Sequence, residues 1–300
     1  MRTASERELV EARSRARLAR RRATQASERA ARFERLATDG PSDMRDLNLS
    51  IVASLRRAAE MQDASARLQD AYATQIEIFL DREGTPAPTP RFLTAVGDLI
   101  GARSTVVTLW SREHVVAVSM GTDALARAVL DIELTVGEGP AHATALERRP
   151  VVVRRSGLGA RWPNFARAAA PLQLHVVASV PMERADDHLG ALTVVDPPQD
   201  LLEARMGTLR SVAAALVETL SEEFSSTDEG TGRTEARSSL PLLAEDSCTA
   251  LHQAAGVVAV HAQCDTAAAL ALIQARAFAD EMSISILAAR IIAGELRLGI

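Results

Sequence analysis

The chain contains no lysine; all 34 basic residues are arginine, which reads as the coding bias of a GC-rich genome more than as a physical adaptation. Cysteine is scarce as well. Cys248 and Cys264 are the only two, which argues against a disulfide framework, and neither has a companion suited to a zinc site. Long apolar runs are missing: Val176–Met182 and Val257–Val260 stop well short of the roughly 20 residues a membrane-spanning helix needs. The opening stretch MRTASERELVEARSRARLARRR has arginines but no apolar region after them, so no secretory signal is expected. These absences predict a cytoplasmic chain with no membrane partner.

Catalytic signatures are absent in the same way. The six histidines, His114, His142, His175, His188, His252 and His261, show no HxxxH spacing, so no metal is expected. Gly157-Leu158-Gly159 lacks the Gly-Lys-Ser/Thr that would complete a phosphate loop, and Asp186 and Asp187 read as a hairpin turn. Residues 92–221 hold no cysteine, which excludes a thiol-linked chromophore there, and a lone His142 or His175 reads as structural before it reads as a haem ligand. The chain is expected not to be an enzyme.

What is present is length, charge asymmetry and helical periodicity. Three hundred residues suffice for two domains plus helical extensions. The formal net charge is -5, yet residues 1–39 carry eleven arginines against six acids. That excess can attract phosphate, or it can be a solvated helix face supported by pairs such as Glu11 with Arg15. Asp39-Gly40-Pro41-Ser42 ends a first helical tract. A second, Asn48–Arg82, carries an Ala-rich stripe with Leu55, Ala59, Met61, Leu68, Ala71, Tyr72, Ile76 and Phe79, suited to helix pairing in a dimer. The segment GTPAPTP then forms a stiff linker.

From Phe92 the pattern is mixed. A helix over 92–100, strands over 104–110 and 114–119, a connection or strand over 129–135, a short helix near His142, strands over 151–155, 176–182 and 189–195, and a long helix over 201–220 are expected. This predicts an antiparallel sheet with helices mainly on one face.

Five motifs run through this region in order: Thr135-Val136-Gly137-Glu138-Gly139-Pro140, Glu147-Arg148-Arg149-Pro150-Val151-Val152-Val153, Arg161-Trp162-Pro163-Asn164-Phe165, Val177-Ala178-Ser179-Val180-Pro181-Met182 and Leu189-Gly190-Ala191-Leu192. Together they resemble the successive signatures of a GAF domain. Gly137 and Gly139 suit sharp turns over a sheet edge, and Gly190 suits a close approach where a Cβ would intrude. The resemblance implies a sensor of a small-molecule effector, which it does not name.

The last segment has three apolar-periodic stretches joined by tight turns. Gln253-Ala254-Ala255-Gly256, Gln263-Cys264-Asp265, Ala269–Ala277 and Ala288-Ala289-Arg290-Ile291-Ile292-Ala293-Gly294 resemble an ANTAR domain, the RNA-binding module of antitermination regulators. Asp265 or Thr266 and Ser283 are placed to cap helices, and Leu251, Val258, Leu270, Ile273, Ala277, Leu287 and Ile291 to form one core. The resemblance implies His252, Gln253 and Arg276 as the RNA-facing set, paired stem-loops as the partner, and a homodimer presenting two modules. The family's usual lysine is Ala255 here, and Gln274 stands where arginine is frequent.

The expected architecture is therefore α+β: a helical region over 1–83, a Pro-rich linker over 84–91, a GAF-like sensor over 92–221, a flexible linker over 222–246 and an ANTAR-like three-helix bundle over 247–300. The expected function is signal-responsive antitermination. The alternative is an oligomeric sensor or scaffold whose tail binds protein, motivated by Ala255, Gln274 and the acidic local balance.

Overall fold

The computed structural model describes residues 4–81, 92–110, 116–184, 187–199, 206–226 and 248–298. The expected linker over 84–91, the turn over 111–113, Asp186 and most of the linker over 222–246 lie outside them. The architecture is mixed α+β, with eleven α-helices and one five-stranded sheet among the described residues.

Helices α1 (Ala4–Asp39) and α2 (Arg45–Leu80) form an antiparallel hairpin through a turn at Gly40–Met44. The reason is a strict heptad seam. Ala12, Ala16, Ala19, Ala23, Ala26, Ala30, Phe33 and Ala37 recur at alternating steps of four and three on α1, and every one is buried or half-buried. On α2 the same steps pick out Val52, Leu55, Ala59, Gln62, Ala66, Gln69, Ala73 and Ile76. Small side chains on one helix let the backbones approach closely while the knobs of the other interlock. Within this chain the α2 seam is met by α1. Arg13 with Glu77, Arg20 with Asp70, and Arg56 with Glu34 at 2.8 Å tie the exposed edges and absorb part of the amino-terminal positive charge. Exposed pairs of this kind contribute little stability individually.

The sheet has the order β2-β1-β5-β4-β3, with all neighbours antiparallel. Its strands are β1 (Ser104–Trp110), β2 (Val116–Gly121), β3 (Val151–Arg154), β4 (Val176–Arg184) and β5 (Asp187–Val195). Helices cover both faces, not mainly one. Val107, Leu109, Val180, Leu192 and Val194 pack under α2, α3 (Phe92–Ile100) and the long helix α8 (Met206–Ser226). Val151, Val153, Val177 and Val195 face α6 (Arg155–Arg161) and α7 (Pro163–Ala168), while Val106 meets α4 (Ala124–Val136). Gly190–Val195 is buried at every successive position, with the Thr193 hydroxyl donating to Ser179 Oγ at 2.9 Å, so both faces of the strand are covered.

Helix α4 replaces the strand or connection expected over 129–135. Its β-branched residues favour a strand locally, but the Asp123 side chain accepts the Ala126 N–H at 2.8 Å and Gly137 ends the helix in the left-handed region at φ 69°. Ala126, Val129, Leu130 and Glu133 then share one buried stripe. Three further helices, α9 (Thr249–Ala262), α10 (Thr266–Ala279) and α11 (Ile284–Ile292), form the carboxy-terminal module. Asp265 and Ser283 cap α10 and α11 as expected, and the seven expected core residues meet in one cluster, Leu270 at its edge. Among the described residues no single helix is long and apolar enough to cross a membrane.

Candidate functional site

The turn after α4 organises the site. Helix α5 (Pro140–Glu147) starts with Pro140 in its first turn and leaves backbone N–H groups without helical partners. The Glu133 carboxylate of α4 accepts the His142 N–H at 2.7 Å and is also bonded by the Ala141 amide. Five residues on, Glu138 Oε1 accepts the N–H groups of Asn164 at 2.5 Å and Phe165 at 3.1 Å, capping α7. Glu138 therefore couples two of the motifs seen in the sequence. A third link follows from Glu147, which pairs with Arg161 at 2.5 Å and Arg149 at 2.7 Å; the Arg161 hydrogen bond leads in lowering its pKa.

Gly139 is required by this arrangement, because a Cβ there would stand 2.8 Å from the Glu133 carboxyl carbon. Glu133 as a residue is 7% exposed. Burial dominates its titration and pushes its pKa from 4.5 to about 7, against the opposing effect of the two backbone amides. His142, at the rim, is held below its ordinary pKa by desolvation although part of its surface stays open to solvent.

Glu133 and His142 open onto a cavity of about 220 Å³. Its walls come from both halves of the molecule. Trp110, Leu130, Leu134 and Ala141 line one side; Leu251, Leu270 and Ile284 line the other. Among the described lining residues the one hydroxyl, that of Thr108, is hydrogen-bonded to Ser119 at 3.1 Å, and Glu133, His142 and Gln274 supply the other polar side-chain groups besides the Trp110 indole.

The module is fastened beside this cavity by polar bonds to the last two turns of α4. Gln274 Nε2 donates to the Leu134 carbonyl at 3.0 Å, Ile284 N–H donates to Thr135 Oγ1 at 3.1 Å, and the N–H and hydroxyl of Ser285 donate to Asp131 Oδ1 at 3.1 and 2.5 Å. Asp131 and Thr135 thus complete the cap of α11 from another domain. A flexible linker is expected over 222–246, yet contact between the two halves runs directly through α4.

Of the residues expected to face RNA, Gln253 and Arg276 are exposed and His252 is half-buried. None lines the cavity. Arg276 forms an ion pair with Asp280 one turn along α10 at 2.6 Å. Ala255 is fully buried, so at this position the chain has core packing rather than a cation. The roles of Glu133, Asp131 and Gln274 in the site were not read from the sequence. For Glu133 a signal existed: an acid on the apolar stripe of a helix at 126, 129, 130 and 133. Among the described residues, no group of three His, Cys, Asp or Glu is arranged to hold a metal ion. No family model matches the chain, and no curated protein does either.

Proposed function

We propose that the chain is a signal-responsive regulator, not an enzyme, in which a GAF-like sheet domain controls an ANTAR-like module that binds paired stem-loops and promotes antitermination. The observation that carries this reading is the α4 joint: the helix that supplies Glu133 to the cavity also caps α11 of the module. An event in the cavity and the position of the module share one rigid element. The sheet order, the five ordered motifs and the capped three-helix unit support the two resemblances. The Ala seam is filled within the chain, so a dimer would form through other faces, such as the exposed Leu36, Leu47 and Leu49 near the hairpin tip.

The test is titration of tandem stem-loop RNA from the protein's own transcripts at several salt concentrations. With about three phosphate contacts, affinity should fall roughly 20- to 40-fold between 50 and 200 mM salt. Arg276→Ala should weaken binding and flatten the salt slope by about one contact. Absence of salt-sensitive binding, or an unchanged slope, would reject the RNA reading.

A second reading has its own observation. Arg276 and Arg290 are paired with Asp280 and Glu295 of the same module, the latter at 3.7 Å, and Gln274 is engaged by α4. A surface this neutral fits a protein partner, and the module would then belong to an oligomeric sensor or scaffold.

A further inference from the structure

The cavity between the sheet domain and the module has no role in the contacts described so far. We infer that it binds a small apolar amine, and that the molecule is held by both halves at once, so that its binding fastens the module onto α4. This deepens the sensor half of the proposed function and rests on that reading of the sheet domain; it does not depend on RNA being the output.

The chemistry follows from the walls. Leu130, Leu134, Leu251, Leu270 and Ile284 present hydrocarbon, which selects an apolar body. The volume, about 220 Å³, exceeds the 150 Å³ or so that accommodates benzene in a dry protein cavity, leaving room for one ring and a short substituent. Among the described lining residues the one acidic side chain is Glu133, which when ionised has acceptors and no donor. Two backbone amides use part of its capacity, and an ammonium group on the ligand would supply the missing countercharge. Above pH 7, where Glu133 is ionised and where the titrations below are made, a carboxylate ligand would meet like charge in a desolvated site and be rejected.

The linkage follows from which residues form the walls. Leu251, Ala267, Leu270, Ala271, Gln274 and Ile284 belong to the module and exist as walls only while it is docked. A ligand that prefers the docked state must shift the docking equilibrium towards it by its differential affinity. The amides that report docking are Ile284 and Ser285, which are bonded across the joint.

The full chain is titrated with benzylamine, and with benzoate as the isosteric anion, while hydrogen exchange is followed at the first turn of α11. Benzylamine should bind and, at a hundredfold excess over its dissociation constant, slow exchange at 284–285 by up to about 100-fold. Benzoate should do neither. Glu133→Gln should abolish the preference for the amine. Ala271→Trp, an exposed position at the cavity mouth, should block binding without unfolding the chain. Asp131→Ala should loosen docking and weaken benzylamine in proportion. No binding of benzylamine, or binding with no change at 284–285, overturns the inference. Equal affinity in the Asp131→Ala and wild-type chains overturns it too. RNA affinity measured on the same samples separates the failures: RNA binding without benzylamine binding removes this inference alone, whereas benzylamine protection without RNA binding removes only the output assignment.

Discussion

Gly190→Ala is expected to destabilise the sheet domain by at least about 3 kcal/mol. A Cβ at this position would lie 2.2 Å from the Thr108 carbonyl oxygen and 3.1 Å from Leu109 Cα, both backbone atoms of the neighbouring strand β1. Backbone cannot rotate away as a long side chain can. Relief therefore requires β5 to separate from β1 at the Leu109–Gly190 pair, next to the Met182–Gly190 pair on the other side. That loses ladder bonds at the last pair of the β1–β5 ladder, in a strand that is paired on both sides. Gly207→Ala is the control, since nothing lies within 4 Å of a Cβ there, and it should be neutral or stabilising by up to about 1 kcal/mol. Urea denaturation followed by circular dichroism reads both. A soluble Gly190→Ala protein within 1 kcal/mol of wild type would show that the strands do not approach as described.

The second large effect is a pH dependence carried by Glu133. Its folded pKa is about 7 and its ordinary value is 4.5. Below 4.5 the carboxyl is protonated in both states and the folded chain keeps the full stability. As the pH rises through this window the unfolded chain releases its proton while the folded chain retains it, so stability falls until about pH 7 and then levels. The total is of order 3 kcal/mol. Glu133→Gln removes this dependence while keeping an oxygen that can accept the His142 amide. The stability of wild type minus that of the variant should therefore fall by about 3 kcal/mol between pH 4.5 and pH 8. Parallel curves over that range would show that the carboxyl is solvated. If benzylamine occupies the cavity, the fall should shrink, because an ammonium partner restores the ionised form.

Elements were legible in the sequence where local chemistry and tertiary need agree. The carboxy-terminal module is the clearest case: Asp265 and Ser283 cap as residue type predicts, and the core residues from Leu251 to Ile291 follow helical spacing. The close approach at Gly190 was legible because only glycine fits such a contact. Helix α4 was not read as a helix. Val129, Ile132, Thr135 and Val136 carry strand propensity, and what decided otherwise was a cap at Asp123 and burial of a stripe that crosses them. On α2 a pairing stripe was legible that shares Leu55, Ala59 and Ile76 with the observed seam, whereas the alanine seam of α1 went unread among its arginines, and periodicity does not state whether the partner helix lies in the same chain or in another.

The candidate site divides along the same line. Composition and motif order by themselves determined that this chain carries an antiparallel sheet flanked by long helices and ends in a small helical unit, since these follow from periodicity, caps and turn residues within a few positions of one another; that helices cover both faces of the sheet was decided by tertiary packing. Only the tertiary structure decided that Glu133 is buried beside the His142 amide, that Glu138 caps a helix 26 residues further on, and that Asp131 and Leu134 receive Ser285 and Gln274 across about 140 to 154 residues of chain. Those pairings depend on which surfaces meet after collapse, and an isolated acid or amide in a helix carries no mark of a partner so distant in the chain. The desolvation that moves a carboxyl to a pKa of about 7 exists only once the folded chain has buried it against α5.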